Sequence, residues 1–476
     1  MRRLHYPERE HQENMLDTKS SEGVESGQDY TGVNKRWYYL GLLLIAIGIP
    51  FHQALFVVIG IVALLVCSLI DTWARYCLTD LRYQRRLGEQ RVFFGEEIAL
   101  SVSIENAKLL PLPWLEIEDT VPRVLTIKGQ ELRGGLLSNT VALECLFSPR
   151  WYERVTRRYT VQCHARGVHT FGPTKLRSGD IFGFISREIL LSNRQYLLVY
   201  PLVIPLTRFG LPARHPFGEQ RAPRRLLEDP SRVIGVRDYA YGDSLRRIHW
   251  KATARTLQLQ SKIYEATTTH ALVIFLNVTA RLDTHYGIHP ELQELAICAA
   301  ASVTNWALDQ GYAVGLYANT IMFMPDEMPS FSHEQALTEQ PNLEGTVAAQ
   351  LERRRIRLPA SSNGEQRQRI MEVLARTQTY FGTNIEDIIQ TERSHLPAGS
   401  TVVVITSTMS EALLDILARV RRGGHAVSIL FTGDTPPPVR LAGITIYHLG
   451  GEETWKDLEA AYSGRSEETA KGIFRL

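Results

Sequence analysis

The sequence predicts a multi-domain chain: two transmembrane α-helices, an antiparallel β-sandwich and a doubly wound α/β domain. Three observations carry this expectation. Residues 37–70 are almost wholly apolar, residues 90–205 break into short runs of alternating apolar and polar side chains, and beyond residue 270 continuous apolar runs alternate with helical stretches. A length of 476 residues suits roughly three folded units. The composition is that of a globular protein, with 44% hydrophobic and 22% charged residues. Lys and Arg number 53 against 51 Asp and Glu, and a net charge of only +2 argues against a nucleic-acid partner. Cys67, Cys77, Cys145, Cys163 and Cys298 are odd in number, scattered and without CxxC spacing. That pattern is neither a disulfide framework nor a zinc site, and it suits a reducing compartment.

Residues 1–34 are polar and mixed in charge, with Ser20-Ser21-Glu22-Gly23 and Ser26-Gly27-Gln28 interrupting any period, and read as a disordered cytoplasmic tail. The apolar run within residues 35–76 is too long for one untilted span, and Pro50-Phe51-His52-Gln53 divides it into helices over Trp37–Ile49 and Gln53–Trp73. A re-entrant hairpin is the alternative. Trp37, Tyr38 and Tyr39 would share one interface with Trp73 and Tyr76, as aromatic belts do. Lys35 and Arg36 precede the pair, Arg75, Arg82, Arg85 and Arg86 follow it, and the connecting turn carries no cation. The positive-inside rule therefore places both ends of this two-pass segment in the cytoplasm.

Residues 77–205 form the expected sandwich. Ile98, Leu100, Val102 and Ile104 alternate with Ala99, Ser101 and Ser103; Val141, Leu143, Cys145 and Phe147 follow the same period, as do Tyr159, Val161 and Cys163. Pro111-Leu112-Pro113, Arg133-Gly134-Gly135 and Phe171-Gly172-Pro173 read as turns between strands. Residues 206–234, with Pro212, Pro216, Pro223 and Pro230 among five arginines, read as a basic linker. The α/β domain then occupies residues 235–465. Its strands are His270–Asn277, Tyr312–Tyr317, Thr401–Ile405, His425–Phe431 and Ile444–His448. Its helices are Glu291–Gln310 and one opening at Thr408-Met409-Ser410-Glu411, the capping-box spacing, and ending at Gly423-Gly424. Residues 322–366 read as an irregular insertion.

The most specific signal is the string Arg237-x-Tyr239-x-x-Gly242-Asp243-x-x-Arg246-x-Ile248-His249-Trp250-x-x-x-Ala254-Arg255, with Arg166-Gly167-Val168 and Asp180-Ile181-Phe182-Gly183-Phe184 upstream of it. Together they resemble the hallmark of the bacterial family called domain of unknown function 58, in domain order over residues 35–450. The resemblance implies two membrane helices, a β-sandwich, a von Willebrand factor A-like α/β domain and a MoxR-type AAA+ ATPase as partner.

The same residues have a physical reading of their own. Asp243 is placed to cap a helix running from Ser244 to Thr256. On that helix Leu245, Ile248 and Ala252 would face a sheet, while Arg247, Lys251 and Arg255 would form a basic row at i, i+4 and i+8. Leu257, Leu259, Ser261 and Ile263 then alternate as a strand. The row is either a solvated helix face or a docking surface for an acidic partner, since guanidinium groups match carboxylates. Arg237, Tyr239, Gly242, Asp243, Arg246, Arg247, His249, Trp250, Lys251 and Arg255 are the candidate binding residues.

His249 beside Asp238 and Asp243 invites a hydrolase reading, but the sequence offers no nucleophile motif, and a buried hydrogen-bonded histidine is the competing role. A purely structural membrane scaffold is a third reading. An A-like domain that holds Mg²⁺ uses an Asp-x-Ser-x-Ser loop; here the loop reads Asn277-Val278-Thr279-Ala280-Arg281, and Thr406-Ser407-Thr408 also lacks a carboxylate. The expectation is a degenerate site at Asn277 and Thr279 that holds no metal. No Gly-x-x-x-x-Gly-Lys-[Ser/Thr] loop is present, so neither ATP hydrolysis nor a cofactor is expected. The chain reads as a membrane-anchored protein that binds other proteins.

Overall fold

A computed structural model describes residues 16–17 and 35–462, apart from 52, 131–132, 135–138, 181–184, 213–215, 218–227, 242, 267–269, 280–288, 323–354, 379–383 and 438–442. The tail expected over residues 1–34 thus lies outside the described residues, except that Leu16–Asp17 pair antiparallel with Arg82 and Tyr83. The chain forms two compact units, one of Met1–Tyr200 with Tyr462–Leu476 and one of Pro201–Ala461.

The first unit opens with helices Lys35–Gly48 and Ala54–Tyr76. Between them Pro50 and Phe51 turn the chain, and His52 lies outside the described residues. The two helices pack closely at small residues: a Cβ on Gly60 would stand 2.6 Å from Ile45 Cγ1 and 2.7 Å from the Gly41 carbonyl. Among the described residues only Ala54–Tyr76 is long and apolar enough to cross a membrane, and 11% of its most apolar window is buried. The first helix has 14 residues and spans about 21 Å, short of a hydrocarbon core of about 30 Å.

Among the described residues this unit also holds two five-stranded sheets and one three-stranded sheet. Glu97–Asn106 buries Ile98, Leu100, Val102 and Ile104 on one face, as the alternation requires, and pairs antiparallel with Leu81–Leu87 and Arg154–Gln162. Leu115–Pro122 pairs antiparallel with Thr140–Phe147 and Thr174–Gly179 in the second large sheet. Side chains from both sheets, among them Tyr83, Leu100, Ile104, Val161, Ile117, Leu143, Cys145 and Leu176, share one core. Arg133-Gly134, expected as a turn, is a two-residue strand against Val141 and Ala142. Inside this core lies a buried ion pair, Arg85 with Asp119. Tyr83 Oη and Thr174 Oγ1 each donate to the same carboxylate at 2.9 Å, and Arg85 also donates to the carbonyls of Phe171 and Asn193.

The second unit centres on a six-stranded sheet in the spatial order Arg355–Ser361, Ala313–Ile321, Ala271–Leu276, Thr401–Thr406, Ala426–Phe431, Thr445–His448. All pairings are parallel except that of Arg355–Ser361. Numbered in chain order, the strands of this sheet run 3-2-1-4-5-6, the doubly wound order whose switch point falls between Ala271–Leu276 and Thr401–Thr406. Both of these strands are buried throughout, which is why they read as continuous apolar runs. Helix Pro290–Asp309 buries most of its length.

Helix Glu411–Arg422 is capped two residues later than expected: Ser410 Oγ, not Thr408, accepts from Leu413 N at 3.0 Å. Thr408 N instead donates to Thr406 Oγ1. The expected insertion over 322–366 contains the antiparallel strand Arg355–Ser361, while 323–354 lie outside the described residues. The linker expected over 206–234 is structured at both ends. Leu206, Phe209 and Leu211 are buried, and residues from Glu228 onward belong to a strand.

Candidate functional site

Strand Glu228–Asp238 returns antiparallel as Gln260–Ala266, and between the two runs most of the family string. The pair joins no other strand among the described residues. Its tip is drawn together by hydrogen bonds. Arg237 Nη2 donates to Asp243 Oδ1 at 2.7 Å, Ala240 N donates to Asp243 Oδ2 at 3.1 Å, and Tyr239 Oη donates to the Asp243 carbonyl at 3.2 Å. The Arg237 guanidinium, with help from the Ala240 N–H, holds the Asp243 carboxyl below its ordinary range. Gly242 lies outside the described residues.

Asp243 therefore does not cap a helix, and the helix expected from Ser244 to Thr256 is divided. Leu245–Arg247 form a 3-10 turn, Ile248 and His249 are non-helical, and the α-helix runs only from Trp250 to Thr256. The cause is pairing with the returning strand: Ile248 bridges Ser261, and His249 N donates to the Gln260 carbonyl at 2.8 Å. His249 is the cap, its Nδ1 accepting from Ala252 N at 3.0 Å. The basic row is broken by the same kink. Lys251 and Arg255 share the helix at i, i+4, whereas Arg247 sits in the preceding turn. Leu257 takes a left-handed conformation that ends the helix, so it does not begin the strand.

The expected apolar face also changes. Ile248 is buried, but Leu245 is 70% exposed and Leu257 90% exposed. Trp250 is 69% exposed and Tyr241 fully so. Among the described residues, all the exposed large apolar side chains of the second unit fall between Val236 and Ile263. Arg246, Lys251 and Arg255 are exposed among them. Sequence reasoning missed Tyr241, Leu245 and Leu257, because apolar residues beside a helix read as core unless the break in that helix is known.

His249, Asp238 and Asp243 each have another hydrogen-bond partner. Its Nδ1 is committed to the helix amide, Asp238 Oδ1 accepts from Gln260 Nε2 at 2.6 Å, and Asp243 is held by Arg237. The upstream pieces of the string lie in the first unit. Gly167 begins strand Gly167–Phe171, and Asp180 accepts from Ile185 N at 2.7 Å, while 181–184 lie outside the described residues.

At the carboxyl ends of the parallel strands, where doubly wound sheets place ligands, neutral groups hold one another. Asn319 Nδ2 donates to Asn277 Oδ1 at 2.7 Å and to Thr279 Oγ1 at 3.0 Å, Val278 N donates to Asn319 Oδ1 at 2.8 Å, and Asn277 Nδ2 donates to Thr406 Oγ1 at 3.0 Å. This last bond spans the switch point. Asn319 went unread in the sequence because the strand was ended at Tyr317; it continues to Ile321. Among the described residues no group of three or more His, Cys, Asp or Glu side chains converges to hold an ion.

Fold and site together define a two-unit chain: a multi-sheet β unit bearing one membrane-length helix, and an α/β unit bearing a cross-braced strand pair. Residues 235–433 match the family described as "Protein of unknown function DUF58". A relative, the "Uncharacterized protein YeaD" of Bacillus subtilis (strain 168), is 25% identical over 245 residues, which are 51% of this chain and 57% of that protein. The match thus spans little more than half of the relative's length. Among solved structures, a CARDB domain from Pyrococcus furiosus aligns with 25% of this chain and 92% of its own at 10% identity and a TM-score of 0.16. A cohesin from Archaeoglobus fulgidus aligns with 25% of this chain and 90% of its own at 14% identity and a TM-score of 0.17. Likenesses at such scores say nothing of what this chain does.

Proposed function

We propose that this protein is a membrane-anchored interaction protein whose cytosolic α/β unit docks an acidic face of a partner protein, and that the partner is a MoxR-type AAA+ ATPase acting on client or envelope proteins. In this reading the helical hairpin crosses the inner membrane twice with both ends in the cytoplasm. Its short first helix is accommodated by local thinning and by snorkelling of Arg36. The α/β unit is taken as a von Willebrand A-like domain, which the sheet order supports, with a neutral amide network in place of an ion.

The observation that carries this reading is the surface around helix Trp250–Thr256. Trp250, Leu257, Tyr241 and Leu245 stand in water beside Arg246, Lys251 and Arg255, and aromatic residues with arginine are what interface centres are enriched in. Arg237, Tyr239, Asp243 and His249 hold the loop that presents them.

The test is co-purification of the full chain with the ATPase from native membranes. Trp250→Ala, and separately Lys251→Glu with Arg255→Glu, should each abolish capture, because like charges facing each other at an interface cost several kcal/mol. The melting temperature should barely move, since exposed substitutions usually change stability by less than about 0.5 kcal/mol. Capture that survives both changes would place the docking surface elsewhere. A His249→Ala variant that folds and captures the partner but loses function would favour a hydrolase.

A further inference from the structure

The β-rich part of the first unit has its own exposed apolar end, and it lies where the membrane-length helix stops. Among the described residues after Tyr76 in this unit, five large apolar side chains are exposed: Leu109, Val124, Leu146, Trp151 and Tyr152. Four of these gather at one end. Leu115 pairs with Phe147, which puts the loop before Leu115 and the turn after Phe147 side by side. Asn106 Nδ2 ties them, donating to the carbonyls of Leu110 and Arg150 at 2.9 Å each, and Tyr152 N donates to the Lys108 carbonyl.

This end is also fastened to the end of helix Ala54–Tyr76. Lys108 Nζ donates to the Cys77 carbonyl at 2.6 Å and to the Thr79 carbonyl at 2.5 Å, and Ala107 N donates to the Asp80 carbonyl. Leu109 (73% exposed), Trp151 (62%) and Tyr152 (68%) therefore lie at the level where Tyr76 and Arg75 leave the apolar run. Tyr152 holds φ at 52°, a left-handed conformation that a bulky residue adopts only when the surroundings impose it. Here the imposed turn aims two adjacent aromatic side chains outward.

We infer that this end of the β unit is an interfacial foot: Leu109, Trp151 and Tyr152 insert into the headgroup layer of the bilayer that the helix Ala54–Tyr76 crosses. Trp and Tyr favour that layer because one end of each ring system is apolar and the other hydrogen-bonds. The exposed Arg150 adjoins the foot, as a cation facing anionic headgroups should. The foot fixes the β unit against the membrane instead of leaving it to swing from one helix. The inference rests on reading Ala54–Tyr76 as a span, and the test separates the two.

The full chain, with Cys67→Ser, receives an environment-sensitive fluorophore at Tyr152→Cys or at Arg123→Cys and is reconstituted into vesicles of phosphatidylethanolamine and phosphatidylglycerol. Arg123 follows the far end of strand Leu115–Pro122, about 25 Å away. The label at 152 should be quenched by lipid carrying a nitroxide near its headgroup and shielded from aqueous cobalt; the label at 123 should show the reverse. If alkaline carbonate extracts the protein, the span reading fails and the foot falls with it. If the protein resists extraction but both labels are equally open to cobalt, the foot alone is wrong. A label at 152 that is shielded from cobalt yet untouched by the lipid nitroxide would show a protein covering this end, which also overturns the inference.

Discussion

The Arg237 guanidinium donates at 2.7 Å to the carboxylate of Asp243, six positions along the chain, and the second oxygen of that carboxylate accepts the Ala240 amide. One charged side chain thus closes the loop that carries the family string, a task that the sequence suggested was helix capping.

Asp243→Ala should therefore open the turn without unfolding the unit. The Ala240 amide should exchange with solvent faster, while the amides of strand Ala271–Leu276 keep their protection. Because the folded pKa of Asp243 is depressed, its contribution is present above the unfolded value of about 3.9 and fades as pH falls through the folded value. Unchanged exchange at Ala240 would mean that the turn is held by backbone alone.

Lys108 predicts a pH dependence of the same sign in an alkaline window. Burial pushes its ammonium down to about 8. Between that value and the unfolded value of about 10.4 the unfolded chain holds a proton that the folded chain has lost, so stability rises with pH across this window. The gain approaches about 3 kcal/mol at most, at 1.36 kcal/mol per unit. Denaturation of the detergent-solubilised protein at pH 7.5 and pH 10 should show it, and Lys108→Met should flatten the response. A wild-type curve as flat as that of the variant would refute it.

The ion pair of Arg85 and Asp119 is shielded from water on both sides. Asp119→Ala should destabilise the protein by about 3–5 kcal/mol, because it strands a buried guanidinium. Arg85→Met combined with Asp119→Leu should recover much of that loss, since a packed apolar pair removes both desolvation costs. A double variant no better than the single one would show that Tyr83, Thr174 and the carbonyls of Phe171 and Asn193 need the charged pair as their partner.

Asn319→Leu should cost about 1–3 kcal/mol for each buried group it leaves without a partner, with the Val278 amide and Asn277 Oδ1 the first affected. Millimolar Mg²⁺ should leave the wild-type melting temperature unchanged, because only a ligand of the native state raises it. A saturable rise would show that these amide and hydroxyl oxygens still coordinate an ion.

Local pattern sufficed for the elements whose burial is one-sided or complete. The alternation of Glu97–Asn106 and the unbroken apolar runs of Ala271–Leu276 and Thr401–Thr406 each express a single environment along the segment, and each folds as its period demands. The apolar length of Ala54–Tyr76 was equally plain. The family string marked the right segment, but its geometry needed a partner about ten residues away. Pairing with Ser261 and Gln260 pulls Ile248 and His249 out of the helix that spacing alone would build. That contact moves the cap from Asp243 to His249, breaks the basic row and turns Leu245 and Leu257 outward. Likewise nothing near Lys108 in the sequence announces that it reaches back to the carbonyls of Cys77 and Thr79. Sequence periodicity records which side of an element meets the core, whereas a hydrogen bond between distant segments depends on how the elements are stacked, and only the folded chain decides that.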